Sequence, residues 1–488
     1  MSKHLEVERK FDVVDSTVSP SFDGLAAVAR VQRTPSVALD AVYYDTPGRD
    51  LAAHRITLRR RTGGADAGWH LKLPAGPDAR TELRTPLGSG DDVPADLRDV
   101  VLAIVRDRPL QPVARITTDR AVHQLYSPDD TPLAEFADDR VTAWADGDDT
   151  EQHWREWELE LSEQAADRAD VLERLTNRLL DAGAQPAGHG SKLARVLNDS
   201  EPAIPAPAVD DPVHRAVAEE VQNLLTWDRS VRADVYDSVH QMRVTTRKIR
   251  SLLQASESAF GLTDDAWILD ELRQLAAVLG IARDAEVLAE RYEKALDELP
   301  DELVRGPVRE RLVGGARRRY RSGWRKSLAA MRSQRYFRLL DALEGLVAAE
   351  PAPPVETEEP SSDTTIESGY RRVRKRAKAT EQAEAEHRDE ALHRIRKAAK
   401  RLRYTAAATG AKKVSDAAKS IQTLLGDHQD SVVSRTHLAK QAEAAHGAGE
   451  DTFTYGLLYA HEGELARRCR EELRPALAAL AKAVRKEA

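Results

Sequence analysis

Val239–Leu253 reads VHQMRVTTRKIRSLL, and about 150 residues later Leu392–Ala406 reads LHRIRKAAKRLRYTA. At ~100° per residue, His240, Arg243, Arg247 and Arg250 fall within roughly 80° of one helix face, as do His393, Arg396, Lys400 and Arg403. Met242 and Ile249 lie opposite the first stripe, and Ile395 and Leu402 opposite the second. Each segment therefore predicts an amphipathic helix that buries its back and displays cations. No acidic residue interrupts either stretch. Solvated helices normally mix signs, because like charges at i,i+3 and i,i+4 repel by a few tenths of a kcal/mol per pair. An anionic partner is expected on both stripes, with Lys397 beside the second.

The regions around these helices repeat as well. LRQLAAVLGIARDAEVL begins at Leu272 and AKSIQTLLGDHQDSVV at Ala418, so Leu279-Gly280 and Asp284 correspond to Leu425-Gly426 and Asp430. The order is the same in both copies, which points to a duplicated bundle of about four helices. Asp284 and Asp430 are expected to cap helices or to orient an arginine.

A chain of 488 residues, 41% hydrophobic and 32% charged, is too long for one core and suits two to four soluble domains. Its net charge of −8 argues against a general nucleic-acid binder, so the cationic stripes act locally against an acidic background. Cys469 is the only cysteine, which rules out an intramolecular disulfide and a cysteine-based zinc site. The N-terminus MSKHLEVERK lacks the apolar run of a signal peptide, and no stretch of 18 apolar residues occurs. These features predict a cytoplasmic protein with no membrane partner. They set no oligomeric state.

Two Pro-rich acidic stretches, Asn198–Pro212 and Glu350–Thr365, divide the chain. The expected domains are 1–199, a linker over 200–212, and 213–488 in halves 213–349 and 366–488 joined by the acidic segment 350–365. The first block alone alternates with period two: LEVERKF, ITLRRR from Ile56, WHLKLP from Trp69 and HWREWELELS from His153. Such runs, bounded by Gly, Pro and Asp, predict antiparallel strands in a meander or barrel. The rest reads as helix almost throughout, so the fold class is α+β and multidomain.

Strand parity sorts the charges of the first block. Glu6, Glu8 and Lys10 share one face of the first strand, with Leu5, Val7 and Phe11 on the other. The same rule groups Thr57, Arg59 and Arg61; His70 and Lys72; Arg80, Glu82 and Arg84; and Glu156, Glu158 and Glu160. If the sheet closes, these carboxylates and cations line one lumen, where hard cations and an anionic ligand would relieve the repulsion among glutamates. Carboxylates holding Mg²⁺ or Mn²⁺, with Arg and Lys on a polyphosphate chain, suit phosphoryl transfer to water. There is no Walker loop and no Gly-rich dinucleotide fingerprint. Trp69, Trp154 and Trp157 read as packing residues.

On LEVERK, LRRR at Leu58–Arg61, HLKLP around Lys72, ELEL at Glu158–Leu161 and GSKLARVL, the first block resembles a CYTH domain of the triphosphate tunnel metalloenzymes. On the two histidine-led basic helices and the two LGxxxD segments, the remainder resembles a CHAD domain. The pairing is that of bacterial inorganic triphosphatases. The resemblance implies an eight-stranded antiparallel tunnel followed by an all-α, internally duplicated domain. It further implies Mg²⁺- or Mn²⁺-dependent hydrolysis of inorganic triphosphate together with binding of inorganic polyphosphate. Carried onto this sequence, Glu6, Glu8 and Lys10 are catalytic, and Glu6, Glu8, Glu158 and Glu160 hold metal. Lys10, Arg59, Arg61, Lys72, Arg84, Arg115 and Lys192 bind the substrate. Glu82, Glu135, Asp138 and Asp139 are further lining candidates. His240, Arg243, Arg247, Arg250, His393, Arg396, Lys397, Lys400 and Arg403 take polyphosphate. Leu193 stands where the family often carries a tyrosine. The alternatives are a non-catalytic polyphosphate-binding protein of polyphosphate granules, or a triphosphatase or cyclase acting on thiamine triphosphate or a nucleotide.

Overall fold

In the computed structural model, residues 2–88, 90–147, 150–198, 211–256, 260–262, 266–349, 365–382, 384 and 387–487 are described. The cores of the two proposed linkers, 200–210 and 350–364, lie outside them. By compactness the chain divides into two units, residues 1–277 with 327–352 and residues 278–326 with 353–488.

The period-two segments form strands, and the strands close. β1 (Ser2–Val13), β3 (Val37–Asp45), β4 (Thr57–Thr62), β5 (Gly68–Pro74), β6 (Ala79–Thr85), β7 (Gln111–Tyr126), β8 (Pro132–Ala145) and β9 (Gln152–Leu161) pair antiparallel in the order β1-β6-β5-β4-β3-β7-β8-β9. β9 returns to β1, with Lys10 opposite Glu158 and Glu8 opposite Glu160. The result is the expected eight-stranded antiparallel barrel. β2 (Arg30–Arg33) extends β7, and β10 (Gln185–Pro186) adds a short pairing to β1.

The barrel is apolar outside and charged inside, because alternate residues of each strand point to opposite faces. Its outer face over β1, β8 and β9 buries Phe11, Phe136, Trp157 and Leu159 against Leu172, Leu175 and Leu179 of α4 (Ala169–Asp181). Over β4 to β6, Leu58, Trp69, Leu71 and Leu83 pack on Leu97, Val101 and Ile104 of α2 (Ala95–Val100), α3 (Leu102–Val105) and their junction. Two short helices complete the block: α1 (Asp50–Ala53), and α5 (Lys192–Val196), whose N-cap Ser191 accepts from the Ala194 amide at 3.1 Å. Leu193 and Val196 of α5 join Ala41, Tyr43, Ile116 and Val141 in a small apolar cluster.

Helices then follow in series: α6 (Pro212–Arg232), α7 (Ser238–Ala255), α8 (Trp267–Asp297), α9 (Gly315–Met331), α10 (Gln334–Ala348), α11 (Ile366–Glu381), α12 (Arg388–Ala408), α13 (Lys412–Gly447) and α14 (Phe453–Glu487). The quoted basic segments are α7 and α12. Met242, Ile249, Ile395 and Leu402 on their backs are fully buried, as the amphipathic reading requires. In the first unit, α6 and α10 meet the barrel's flanking helices through Arg106–Glu344 at 2.7 Å and Arg232–Asp99 at 3.1 Å. Asp284 and Asp430 sit inside α8 and α13, so they cap no helix. In the second unit, α9 crosses α8 so closely that a Cβ at Gly323 would lie 2.7 Å from the Ala282 amide nitrogen. Gly323→Leu is therefore expected to destabilise the protein by about 1–3 kcal/mol, read as a lowered Tm. An unchanged Tm would contradict the close approach.

Candidate functional site: the barrel lumen

Every parity group contributes to the lumen wall, with His70, Glu82 and Glu156 buried behind it. A cavity of about 280 Å³ is lined by Glu6, Glu8, Lys10, Thr57, Arg59, Arg61, Lys72, Arg80, Arg84, Glu158, Glu160 and Lys192. Its remaining wall includes Tyr43, Asp66, Arg120, Gln124 and Glu135. Of the expected substrate ligands, Lys10, Arg59, Arg61, Lys72, Arg84 and Lys192 are brought together.

Arg115 is not. It faces outward, its side chain 59% exposed, and donates to Asp40 at 3.0 and 2.6 Å. Arg120, five residues on and so on the opposite face of β7, reaches the lumen instead and binds Asp139 at 2.6 Å as well as Glu158. Asp138 likewise faces away, paired with Arg155 at 2.6 Å, whereas Glu135 lines the cavity and Asp139, fully buried, pairs with Arg120 and Lys192. Trp69 and Trp157 are buried packing residues as expected, and Trp154 packs under Arg195.

The lumen charges fall into two electrostatic groups. In the first, Lys192 Nζ lies 2.8 Å from Asp139, 2.7 Å from Glu156 and 2.8 Å from Glu158, while Lys10 and Arg120 also pair with Glu158. Burial works to raise the Glu158 carboxyl, but Lys10, Lys192 and Arg120 outweigh it and hold it well below the usual range. Oxygens of Asp139, Glu156 and Glu158 lie within 4.8 Å of one another and could hold a metal ion. In this structure the Lys192 ammonium already sits among all three.

In the second group the cations are unevenly placed. Glu6 pairs with Lys72 at 2.6 Å and Arg84 at 3.5 Å, and Glu8 with Lys10 at 2.9 Å and Arg80 at 3.7 Å. For Glu8, burial is outweighed by Lys10 and Lys72, which bring its carboxyl down to about 2. Glu160 stands opposite Glu8 on one side and Glu135 on the other. It forms no ion pair among the described residues. Burial, together with Glu6, Glu8 and Glu135, pushes its carboxyl up to about 7. Burial also raises Glu6 and Glu135. This is the signature of carboxylates short of positive charge, and the donor set Glu6, Glu8, Glu160 and Glu135 is all oxygen, as Mg²⁺ and Mn²⁺ prefer. Glu135 belonged only to the further lining candidates, and Arg120 and Tyr43 were missed. Tyr43 accepts a hydrogen bond from Arg59 at 3.3 Å.

On the helices, the stripe residues of α7 and α12 are half-buried or exposed. Arg243 donates to the Ala276 carbonyl at 3.3 Å, and Arg403 to Gln422 at 3.1 Å. Arg396 lies over Gly426, where a Cβ would sit 3.6 Å from its Nε. Burial raises Asp427 and Asp430, with Arg291 and Arg396 opposing. Asp430 thus neighbours an arginine of the stripe, and Asp427, absent from the sequence reading, shares that place.

Residues 4–184 match the CYTH domain family and residues 215–439 the CHAD domain family. The chain is a CYTH–CHAD protein. CYTH proteins include triphosphatases and cyclases and depend on metal, and CHAD domains are associated with polyphosphate binding. Uncharacterized proteins of Mycobacterium tuberculosis strains CDC 1551 / Oshkosh and ATCC 25618 / H37Rv are each 66% identical over 506 aligned positions, covering 99% of this chain and 98% of theirs. Among solved structures, the CHAD domain from the plant Ricinus communis is 22% identical over 56% of this chain and 94% of its own, TM-score 0.40. PptA from Streptomyces chartreusis is 18% identical over 54% and 97%, TM-score 0.43. PH1819 protein from Pyrococcus horikoshii is 17% identical over 40% and 98%, TM-score 0.25. Among the described residues, no helix is long and apolar enough to cross a membrane.

Proposed function

We propose that the barrel hydrolyses inorganic triphosphate with Mg²⁺ or Mn²⁺ and that the helical region binds inorganic polyphosphate. The observation that carries the first half is the lumen's makeup: carboxylates and eight Lys and Arg side chains in about 280 Å³, with little apolar wall. Glu6, Glu8 and Glu160, joined by Glu135, would hold the cation; Glu158 serves instead as the counter-ion of Lys10, Lys192 and Arg120. When bound, the divalent ion supplies charge neutralisation at the phosphoryl oxygens and polarises the terminal phosphorus.

The chain's own residues do the rest. Lys10, Lys72, Arg59, Arg84 and Arg120 exchange their carboxylate partners for phosphate oxygens, which places the triphosphate along the tunnel. The Glu6 and Glu8 carboxylates freed by this exchange would be available to hold a divalent cation. Arg61, lowered to about 9 by burial, Arg59 and Arg120, gains an anionic neighbour and so remains charged.

Lys72→Ala is expected to raise KM for triphosphate by about tenfold or more while metal affinity persists. Arg115→Ala serves as its control and is expected to leave the kinetics unchanged. Steady-state phosphate release checks both, and normal kinetics in Lys72→Ala would move that lysine out of the site. The overall reading is tested by phosphate release from inorganic triphosphate, long polyphosphate, ATP and thiamine triphosphate with each metal. A clear nucleotide preference would overturn it.

One observation favours the organic-triphosphate alternative. A second cavity of about 470 Å³ shares Thr57, Arg80, Gly190 and Ser191 with the lumen and is walled by Ile56, Pro74, Pro77 and Leu193. Arg80 stands between them, donating to the carbonyls of Arg55 at 3.2 Å and Gly190 at 2.8 Å. An organic group attached to a triphosphate would have room there.

A further inference from the structure

Within the first unit, a crevice of about 780 Å³ lies between the outer face of β5 and β6, helix α2 and the last turns of α6. Its walls carry Leu73, Leu83 and Val100, and its charged lining is Lys3, Arg229, Arg232, Arg332, Asp96 and Asp99. None of these residues lines the lumen. Crevices of this size hold drug-sized molecules, and a few polar groups on apolar walls are what fixes such ligands.

Arg229 is the feature that needs a partner. Its neighbour Asp228 is fully committed: Oδ1 accepts from Arg232 Nε at 2.6 Å, and Oδ2 from the Tyr336 hydroxyl at 2.9 Å. Asp99 is committed too, accepting from Arg232 at 3.1 Å and Arg332 at 3.0 Å. No hydrogen bond or ion pair is made by the Arg229 guanidinium among the described residues. Burial lowers it, with Asp228 opposing. A part-buried guanidinium without an anion is costly, and a bound anion removes that cost. Four cations face the two lining carboxylates and Asp228 behind them, leaving one positive charge in excess. An anionic ligand matches that sign, and the guanidinium fork matches phosphate oxygens.

We propose that this crevice binds a small phosphate monoester bearing an apolar group, its phosphate on Arg229 with Lys3 nearby and its organic part on Leu73, Leu83 and Val100. The site is separate from the lumen and takes a different ligand. The test is calorimetric titration of the full chain with phenyl phosphate and adenosine 5′-monophosphate, alongside inorganic phosphate and adenosine. Both esters are expected to bind at millimolar concentration or below, and each at least about tenfold more tightly than phosphate or adenosine alone. Arg229→Gln is expected to weaken ester binding about tenfold or more without lowering the Tm, since it removes an unpaired charge rather than a contact. Ala233→Trp, at an exposed lining position, is expected to block binding by filling the crevice. Triphosphate hydrolysis should be unaltered in Arg229→Gln, so failure here and failure of the lumen reading are distinguishable. Undiminished ester binding in both variants, equal binding of inorganic phosphate, or no binding of either ester would each overturn the proposal.

Discussion

Glu8→Gln is expected to slow triphosphate hydrolysis by about 100-fold or more, near 2.7 kcal/mol of lost transition-state stabilisation, with the fold intact. Glutamine has the same shape, so packing in the lumen is preserved while one formal charge disappears. That charge has two duties. It balances Lys10 at 2.9 Å, and it faces Glu160, which has no ion-pair partner among the described residues, across the β1–β9 pairing. Without it, Lys10 retains only Glu158 as an anionic partner, and the donor set that suits a divalent ion loses its most strongly ionised member. The measurement is kcat with Mg²⁺ and with Mn²⁺, beside a thermal melt that certifies folding. Wild-type turnover in a folded Glu8→Gln chain would remove Glu8 from catalysis, and with it the reading of the lumen as a triphosphatase site.

The barrel was legible because its alternation is inverted relative to a ligand-free core. Leu58, Leu71 and Leu159 mark the helix-covered outside, and the intervening Arg59, Lys72 and Glu158 mark the inside. Parity alone therefore placed most of the site. On β7 the rule reverses: Ala114, Ile116, Thr118 and Arg120 share the inward face, where Ile116 packs with Tyr43 and Leu193, so an apolar residue marks the inside there and Arg120 is the inward arginine. Arg115 came from the family resemblance. What parity could not show is which carboxylates are already neutralised. Lys192 comes from a short helix outside the strand register, and it pairs with Asp139, Glu156 and Glu158, whereas Glu160 makes no ion pair among the described residues. The helical repeat was legible in its buried backs. The role of Asp430 was less so, because a position inside a 36-residue helix carries no local sign that Arg396 lies beside it.

Neutralising Arg396, Lys400 and Arg403 together, as Gln, is expected to remove most polyphosphate affinity from the second stripe and to flatten its salt dependence. Polyanion binding by preorganised cations releases counterions, with a slope of about −0.7 per neutralised charge on a flexible single strand. Losing three contacts should therefore reduce the slope of log K against log salt by about 2. The glutamines keep the helix, since Ile395 and Leu402 on the opposite face are untouched and fully buried. His393 adds a second axis. Burial, then Lys397 and Arg396, hold its imidazole below the ordinary value in the free protein, against the opposing charge of Glu390. A polyanion stabilises the imidazolium, so its pKa rises on binding, and by linkage affinity must increase as pH falls toward the imidazole's depressed free-state value. Double-stranded DNA should compete poorly, since the net charge is −8. Titrating polyphosphate from pH 8 to 6 at several salt concentrations, for the wild type, the triple Gln variant and His393→Ala, separates the two contributions. An unchanged salt slope in the triple variant would make α12 an ordinary solvated helix. An equal pH slope in His393→Ala would leave that histidine a structural residue beside the stripe.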